Sequence, residues 1–253
     1  MKYARKVLKK LPLPGVITRV DTTQPLVALT FDDGPDPEST LPLLDLLGAF
    51  GARATFFMRG SAVAKHREVV RRAVEMGHAI GNHTWSHPVM PRIPRRDRLF
   101  ELRECQEAIE PYVERPYLFR PPYLAQSKAS RLDALFLGLE VIMCSIDSGD
   151  WRLADADEIV AQLLANSTAG DIVLLHDAVY VPEDRVLPYT SVRDRRTMLD
   201  ALERYLVETG DRFRFVTVPE LLRAGRPVRR EWYAKGPAAV ERRPSERLER
   251  ITL

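Results

Sequence analysis

From about residue 26 the chain alternates short apolar runs with amphipathic stretches long enough for helices, and this alternation constrains the fold more than any other feature. The runs are Leu26–Thr30, Ala54–Met58, His78–Gly81, Tyr117–Phe119, Glu140–Ser145, Asp171–Leu175 and Arg214–Val218. Runs this short, bounded by turn residues, read as buried strands. The stretches between them predict helices at 39–50, 61–76, 97–113, 128–138, 156–166 and 195–209, with a short one at 219–224. Ser39 and Thr40 are placed to cap the first, and Gly77 and Gly210 to stop two others. Seven strand–helix alternations without a composition break predict one α/β domain over 21–225, a closed or nearly closed parallel barrel.

Composition narrows what such a barrel does. With 253 residues, 45% of them apolar, the chain buries a sizeable core without staples. Residues 1–20 carry six Lys/Arg and no acid, and residues 226–253 carry eight Lys/Arg against four Glu, while the body between them is net acidic. Basic tails on an acidic body argue against a nucleic-acid-binding domain, whose positive charge belongs on the folded face. The tails suit solubility, or contact with a membrane surface or anionic polymer. The C-terminal one reads as an appended extension of low order. Cys105 and Cys144 sit in apolar surroundings and read as buried free thiols. No stretch approaches the ~20 apolar residues of a membrane span, and Leu11-Pro12-Leu13-Pro14 is too short and broken for an export signal.

The chemistry gathers where the strands end. A parallel barrel brings the C-terminal ends of its strands to one face. There lie Asp32-Asp33, His83 and His87, Arg120 to Tyr123, Asp147 to Trp151, and His176-Asp177, which include three of the five histidines. His83 and His87 are spaced i, i+4, which on one helical turn aims both rings at a divalent metal. Asp33 supplies a third, anionic ligand and leaves coordination positions open, as catalytic sites require. Such N and O donors would accept zinc, cobalt, nickel or iron. Asp-Asp-Gly-Pro is also an ordinary turn, and successive side chains on a strand point opposite ways. Both carboxylates therefore reach one site only through that turn, one to bind metal and the other to take a proton from water. His176 is a candidate general acid. Arg120 and Asp150 are candidate partners, one orienting Asp32 and the other keeping His176 protonated.

The ordered set TFDDGP (30–35), HTWSH (83–87), RPPY (120–123), DSGDW (147–151) and LLH (174–176) resembles the five motifs of NodB-homology polysaccharide deacetylases, carbohydrate esterase family 4. The resemblance covers roughly residues 25–222 and implies a distorted (β/α)7–8 barrel. It implies Asp32 as general base, Asp33, His83 and His87 as ligands of one divalent ion, Arg120 as the brace of the base and His176 as general acid tuned by Asp150. The Tyr123 N–H would help form an oxyanion hole, and Trp151 and Leu174 would line the acetyl pocket. Trp85, Tyr123 and Trp151 are placed to stack on sugar rings. The implied reaction removes N-acetyl groups from an N-acetylglucosamine-containing glycan: peptidoglycan, chitin oligosaccharide or exopolysaccharide. The alternatives are an O-acetyl esterase, a deformylase of a lipid-linked amino sugar, and a non-catalytic glycan-binding relic. Such substrates point to the cell envelope. Leu124 departs from the pattern, standing where Gly is usual. So does the long segment 178–194, expected to narrow the groove through Tyr180, Arg185, Tyr189 and Arg193.

Overall fold

The structure, a computed structural model, describes residues 13–115, 117–180 and 194–233. Strand β1 (Val16–Asp21) precedes β2 (Leu26–Asp32), α1 (Pro37–Ala49) and β3 (Ala54–Met58). Helices α2 (Gly60–Lys65) and α3 (Arg67–Glu75), β4 (Ala79–Asn82), α4 (Arg95–Ile109) and β5 (Tyr117–Phe119) follow. Then come α5 (Lys128–Phe136), β6 (Leu139–Val141), β7 (Ile146–Asp147), α6 (Ala156–Asn166) and β8 (Ile172–His176). Helix α7 (Arg196–Thr209), β9 (Arg214–Phe215), α8 (Val218–Arg223) and β10 (Arg226–Arg230) complete the order.

Seven strands form one curled parallel sheet in the order β6-β5-β4-β3-β2-β8-β7, with β9 added beside the start of β2. Period-2 alternation sorts its side chains. Along β2, Val27, Leu29 and Phe31 pack outward in the cluster shared with α1, α6 and α7. Leu26 and Ala28 join Phe57, Leu118 and Ile172 in a second cluster that fills the concave side. The next residues of that inner row are Thr30 and Asp32, so the interior passes from apolar to polar toward the C-terminal ends of the strands.

The sheet is an open half-barrel rather than a closed ring. The predicted run 140–145 is not one strand: β6 ends at Val141 and β7 begins at Ile146, and these are the two sheet edges. β1 lies across the seam. Its Ile17 carbonyl accepts from Met143 N–H at 2.8 Å, and its Val20 N–H donates to the Gly170 carbonyl at 2.8 Å. β10 pairs antiparallel with β1 along its length. The expectation of low order after Gly225 therefore fails for Arg226–Arg230, whose arginines find acids: Arg226 with Asp21 at 3.1 Å and Arg229 with Glu140 at 2.9 Å. A polar Arg-Pro-Val-Arg-Arg stretch shows no strand alternation; its partner strand makes it a strand.

Two local expectations also change. Asp36, not Ser39 or Thr40, caps α1, accepting from Glu38 N–H, while Thr40 donates to the Asp177 carboxylate at 2.6 Å. The predicted 61–76 helix breaks at His66, whose φ of −128° is not helical. Cys105 and Cys144 are buried and free, as expected, and burial pushes the Cys105 thiol up to about 12. Among the described residues no helix is long and apolar enough to cross a membrane. Arg185, Tyr189 and Arg193 lie outside the described residues, as do 1–12 and 234–253 of the basic tails.

Candidate active site

The inner row of β2 ends on Asp32, whose carboxylate is held from below. Arg120, wholly buried, donates from Nη1 to Asp32 Oδ1 at 2.8 Å and to Thr30 Oγ1 at 2.7 Å. Its other nitrogens donate to the Ile142 and Met143 carbonyls at 3.2 and 2.9 Å, and its guanidinium stacks 4.3 Å from the Phe57 ring centroid. A planar fork with donors on three sides suits this buried junction, whose spread acceptors the single nitrogen of a lysine could not all reach. At the next residue the backbone turns over: Asp33 has φ +80°. That turn brings both carboxylates to one site, as the strand-end argument required.

Two histidines meet Asp33, by a route other than the helical turn expected. β4 ends at Asn82, and Thr84 and His87 have φ of +67° and +66°, so residues 83–87 form a tight loop. Asn82 Oδ1 accepts from Thr84 N–H and Thr84 Oγ1 from His87 N–H, at 2.9 and 3.1 Å. On the far side, Glu101 of α4 accepts from both the amide and the hydroxyl of Ser86, at 2.8 and 2.6 Å. The ring centroids end 5.1 Å apart. Asp33 Oδ1 lies 3.3 Å from His83 Nε2 and 2.9 Å from His87 Nε2.

This donor set fits a divalent cation. The three ligand atoms lie within 4.8 Å of one another on buried residues, and Asp33 Oδ1 is buried with no hydrogen-bond partner among the described residues. His83 Nδ1 donates to the Arg120 carbonyl at 2.8 Å, which leaves Nε2 as the bare lone pair a metal needs. Burial pushes the Asp33 carboxyl up, but the His87 and His83 rings outweigh it and hold the group well below its ordinary range. Burial likewise lowers His87, favouring the neutral imidazole. The Asp33 Oδ2 atom accepts from Tyr180 N–H at 2.8 Å, and the Tyr180 ring leans on His87 with 4.6 Å to the Arg59 guanidinium.

His176 is the register partner of Asp32 on the neighbouring strand. Its Nδ1 faces Asp150 Oδ1 at 2.9 Å, which leaves Nε2 for a transferable proton. Burial pushes the imidazole down, yet the Asp150 carboxylate outweighs that and raises it to about 9. Asp150 itself is buried; desolvation favours its neutral form, and His176 and Arg195 reverse this, lowering its pKa. Directly after His176, Asp177 accepts from Gly34 N–H at 3.1 Å and anchors the turn that follows Asp33. Gly34 is required there, since a Cβ would come within 1.9 Å of Asp177 Oδ2.

The remaining predicted residues fall around this centre. Tyr123 has φ +57° and its ring meets His87 edge-on, with 4.5 Å between centroids. Leu124, in the place of the usual glycine, adopts φ +49°; its carbonyl accepts from Trp232 Nε1 at 3.1 Å. Leu174 is buried beside Met143, Leu124 and Trp232, and half-buried Trp151 follows Asp150. Trp85 is half-buried with its ring over Gly60 at the start of α2. Among the described residues, five non-glycine positions have positive φ: Asp33, Thr84, His87, Tyr123 and Leu124. Each costs on the order of 1–2 kcal/mol, and all five lie in the loops at this end, where such strain marks functional sites. Sequence reasoning missed Arg195, Arg59, Glu101 and Trp232, because each is distant in the chain from what it holds.

A family model for polysaccharide deacetylases matches residues 19–142. A peptidoglycan-N-acetylglucosamine deacetylase of Bacillus cereus is 35% identical over 219 residues, covering 85% of this chain and 97% of that protein. The chain belongs to the polysaccharide deacetylase family. A chitooligosaccharide deacetylase of Sinorhizobium fredii is 34% identical over 207 residues, covering 81% of this chain and 95% of that one. The solved structure of the peptidoglycan deacetylase PdaC from Bacillus subtilis superposes with a TM-score of 0.68 at 32% identity, over 81% of this chain and 93% of that one. The full PdaC protein is longer, and the chain spans 44% of it. This deacetylase is therefore a carbohydrate esterase family 4 hydrolase, and its half-barrel is consistent with the (β/α)7–8 barrel of that family.

Proposed function

We propose that this deacetylase removes N-acetyl groups from N-acetylglucosamine-containing glycans, such as peptidoglycan, chitin oligosaccharides or an exopolysaccharide, in a metal-dependent reaction. The observation that carries the reading is the convergence of three buried donor atoms within 4.8 Å, beside a second carboxylate, Asp32, whose strand partner is His176. Names of the relatives support the glycan class. Asp33, His83 and His87 would hold a divalent ion, zinc first, which supplies Lewis acidity and lowers the pKa of water at the site.

The chain's own groups divide the rest. Asp32, held by Arg120, takes a proton from the attacking water as its oxygen bonds to the acetyl carbon. The Tyr123 N–H donates to the oxyanion that forms, a contribution worth on the order of 100-fold in rate. His176 delivers its Nε2 proton to the nitrogen as the C–N bond breaks and its electron pair stays on nitrogen. Acetate and a free amine leave. Leu174 and Trp151 suit the acetyl methyl, and Trp85 a sugar ring at the rim. The basic tails suit an anionic polymer or membrane surface, and cell-wall substrates suit an extracytoplasmic location.

The test is acetate release by zinc-reconstituted protein from N-acetylglucosamine oligomers of several lengths and from peptidoglycan, run beside O-acetylated and N-formylated sugars. Acetate from the N-acetyl substrates, abolished by chelation, is expected. Release only from the ester or the formamide transfers the assignment to those chemistries, and no release from any of them overturns the hydrolase reading.

A further inference from the structure

We propose that Arg195 is a positioning residue for the proton donor, acting through Asp150 on His176. The assignment rests on the deacetylase reading above. Arg195 precedes the first turn of α7 and is only 4% exposed. Its guanidinium reaches both members of the acid pair. Nη2 donates to Asp150 Oδ2, Nη1 to the Asp150 carbonyl at 3.2 Å, and Nε to the His176 carbonyl at 3.1 Å.

The geometry explains why that matters. Asp150 Oδ1 accepts from Ser148 Oγ and faces His176 Nδ1, each at 2.9 Å, while Oδ2 accepts from His176 N–H at 2.8 Å. Without Arg195, Oδ2 would keep only the His176 amide, a single bond that leaves the carboxylate free to tilt about Cβ–Cγ away from the imidazole. With Oδ2 held by a guanidinium and an amide, Oδ1 stays opposite Nδ1. The bonds to the two carbonyls tie the end of β8 to the loop carrying Asp150, so the ring is set through its backbone as well. Three directed donors from one planar group accomplish this; a lysine would keep the charge and lose the fork.

The proposal predicts a loss that depends on the leaving group. An amide nitrogen needs a proton to depart, whereas 4-nitrophenolate leaves without one. With zinc-loaded full-length protein, Arg195→Gln is expected to lower kcat/KM on N-acetylglucosamine oligomers by roughly 10–100-fold, part of the ~10²–10⁴-fold a general acid supplies. Its loss on 4-nitrophenyl acetate is expected to be about tenfold smaller. In an Asp150→Asn background the same substitution should add less than about threefold, because residues acting as one unit are not additive. Equal losses on the two substrates, or independent multiplication in the double variant, would overturn the assignment. Zinc affinity, measured by equilibrium titration, should stay within about threefold; a larger drop places Arg195 with the metal ligands instead. If Arg195→Gln fails to give a cooperative melt, the same comparisons are read on Arg195→Lys. Wild-type protein that binds zinc and cleaves neither substrate overturns the deacetylase reading itself, and is thereby told apart.

Discussion

Asp32 and Asp33 are adjacent and chemically identical, yet one backbone angle sends them to different surroundings. Asp32 finishes the inner row of β2 and meets Arg120; Asp33, at φ +80°, swings into the two imidazoles. Asp32→Asn is expected to retain zinc at near wild-type affinity and lose most acetate release, while His87→Ala loses both. Zinc titration beside an acetate assay checks this, and full turnover by metal-loaded Asp32→Asn would remove Asp32 as the base. On the proposed reading His176 would carry the pH dependence. Its value is raised to about 9 against an ordinary 6.5, so the acid form persists through neutrality and is lost as pH rises past it. The pair's contribution to stability has the same sign: fully present below about 6.5 and fading as pH climbs toward 9. A cation bound nearby lowers the upper bound. Asp150→Asn deletes the charge that favours imidazolium, so the alkaline limb of kcat/KM should move to lower pH. An unmoved limb would separate the two residues functionally.

Loops between elements set the geometry of the candidate metal site, and the i, i+4 spacing of His83 and His87 shows how sequence periodicity misleads there. The spacing matches a helical turn, but Thr84 and His87 both adopt left-handed backbone, and hydrogen bonds from Asn82, Thr84 and Glu101 form the loop instead. Glu101 lies on the next helix, α4, and holds the loop through Ser86. Glu101→Ala would leave the Ser86 amide without its acceptor and let the two rings drift. Zinc affinity should fall about 10–100-fold, the usual cost of losing a group that orients a ligand. Equilibrium titration with a chromophoric chelator reads this, and unchanged affinity would show that the loop holds itself.

At the scale of the whole molecule, the two ends of the described chain meet across the open seam of the sheet and reach the site from beneath. β1 and β10 pair, and just past β10 the buried Trp232 donates to the Leu124 carbonyl and accepts from Gln126 at 2.7 Å. Leu124 and Tyr123 hold strained, left-handed backbone that glycine would adopt freely. Packing and this hydrogen bond make the strain tolerable. Trp232→Ala should cost about 3–5 kcal/mol of stability, as large-to-small core changes do. Because it loosens the Tyr123 loop rather than the proton donor, turnover of amide and aryl ester should fall in parallel. Denaturant titration and the two-substrate assay test both parts, and a loss confined to the amide would contradict this account.

Local order and local chemistry were legible in the sequence alone. Apolar runs and periodic stretches located six of the seven strands of the main sheet and every α-helix, since short-range burial patterns follow side-chain geometry. The motifs placed Asp32, Asp33, His83, His87, Arg120, Asp150 and His176 at strand ends, and a parallel sheet gathers strand ends on one face. What only the tertiary structure decided was whatever depends on residues meeting from afar. The β1–β10 pair joins segments about 210 positions apart with no alternating pattern between them. Arg195 meets Asp150 across 45 residues, and Trp232 meets Leu124 across 108. Such contacts leave no trace in neighbouring letters, because a buried donor is chosen by the acceptor that three-dimensional packing sets opposite it.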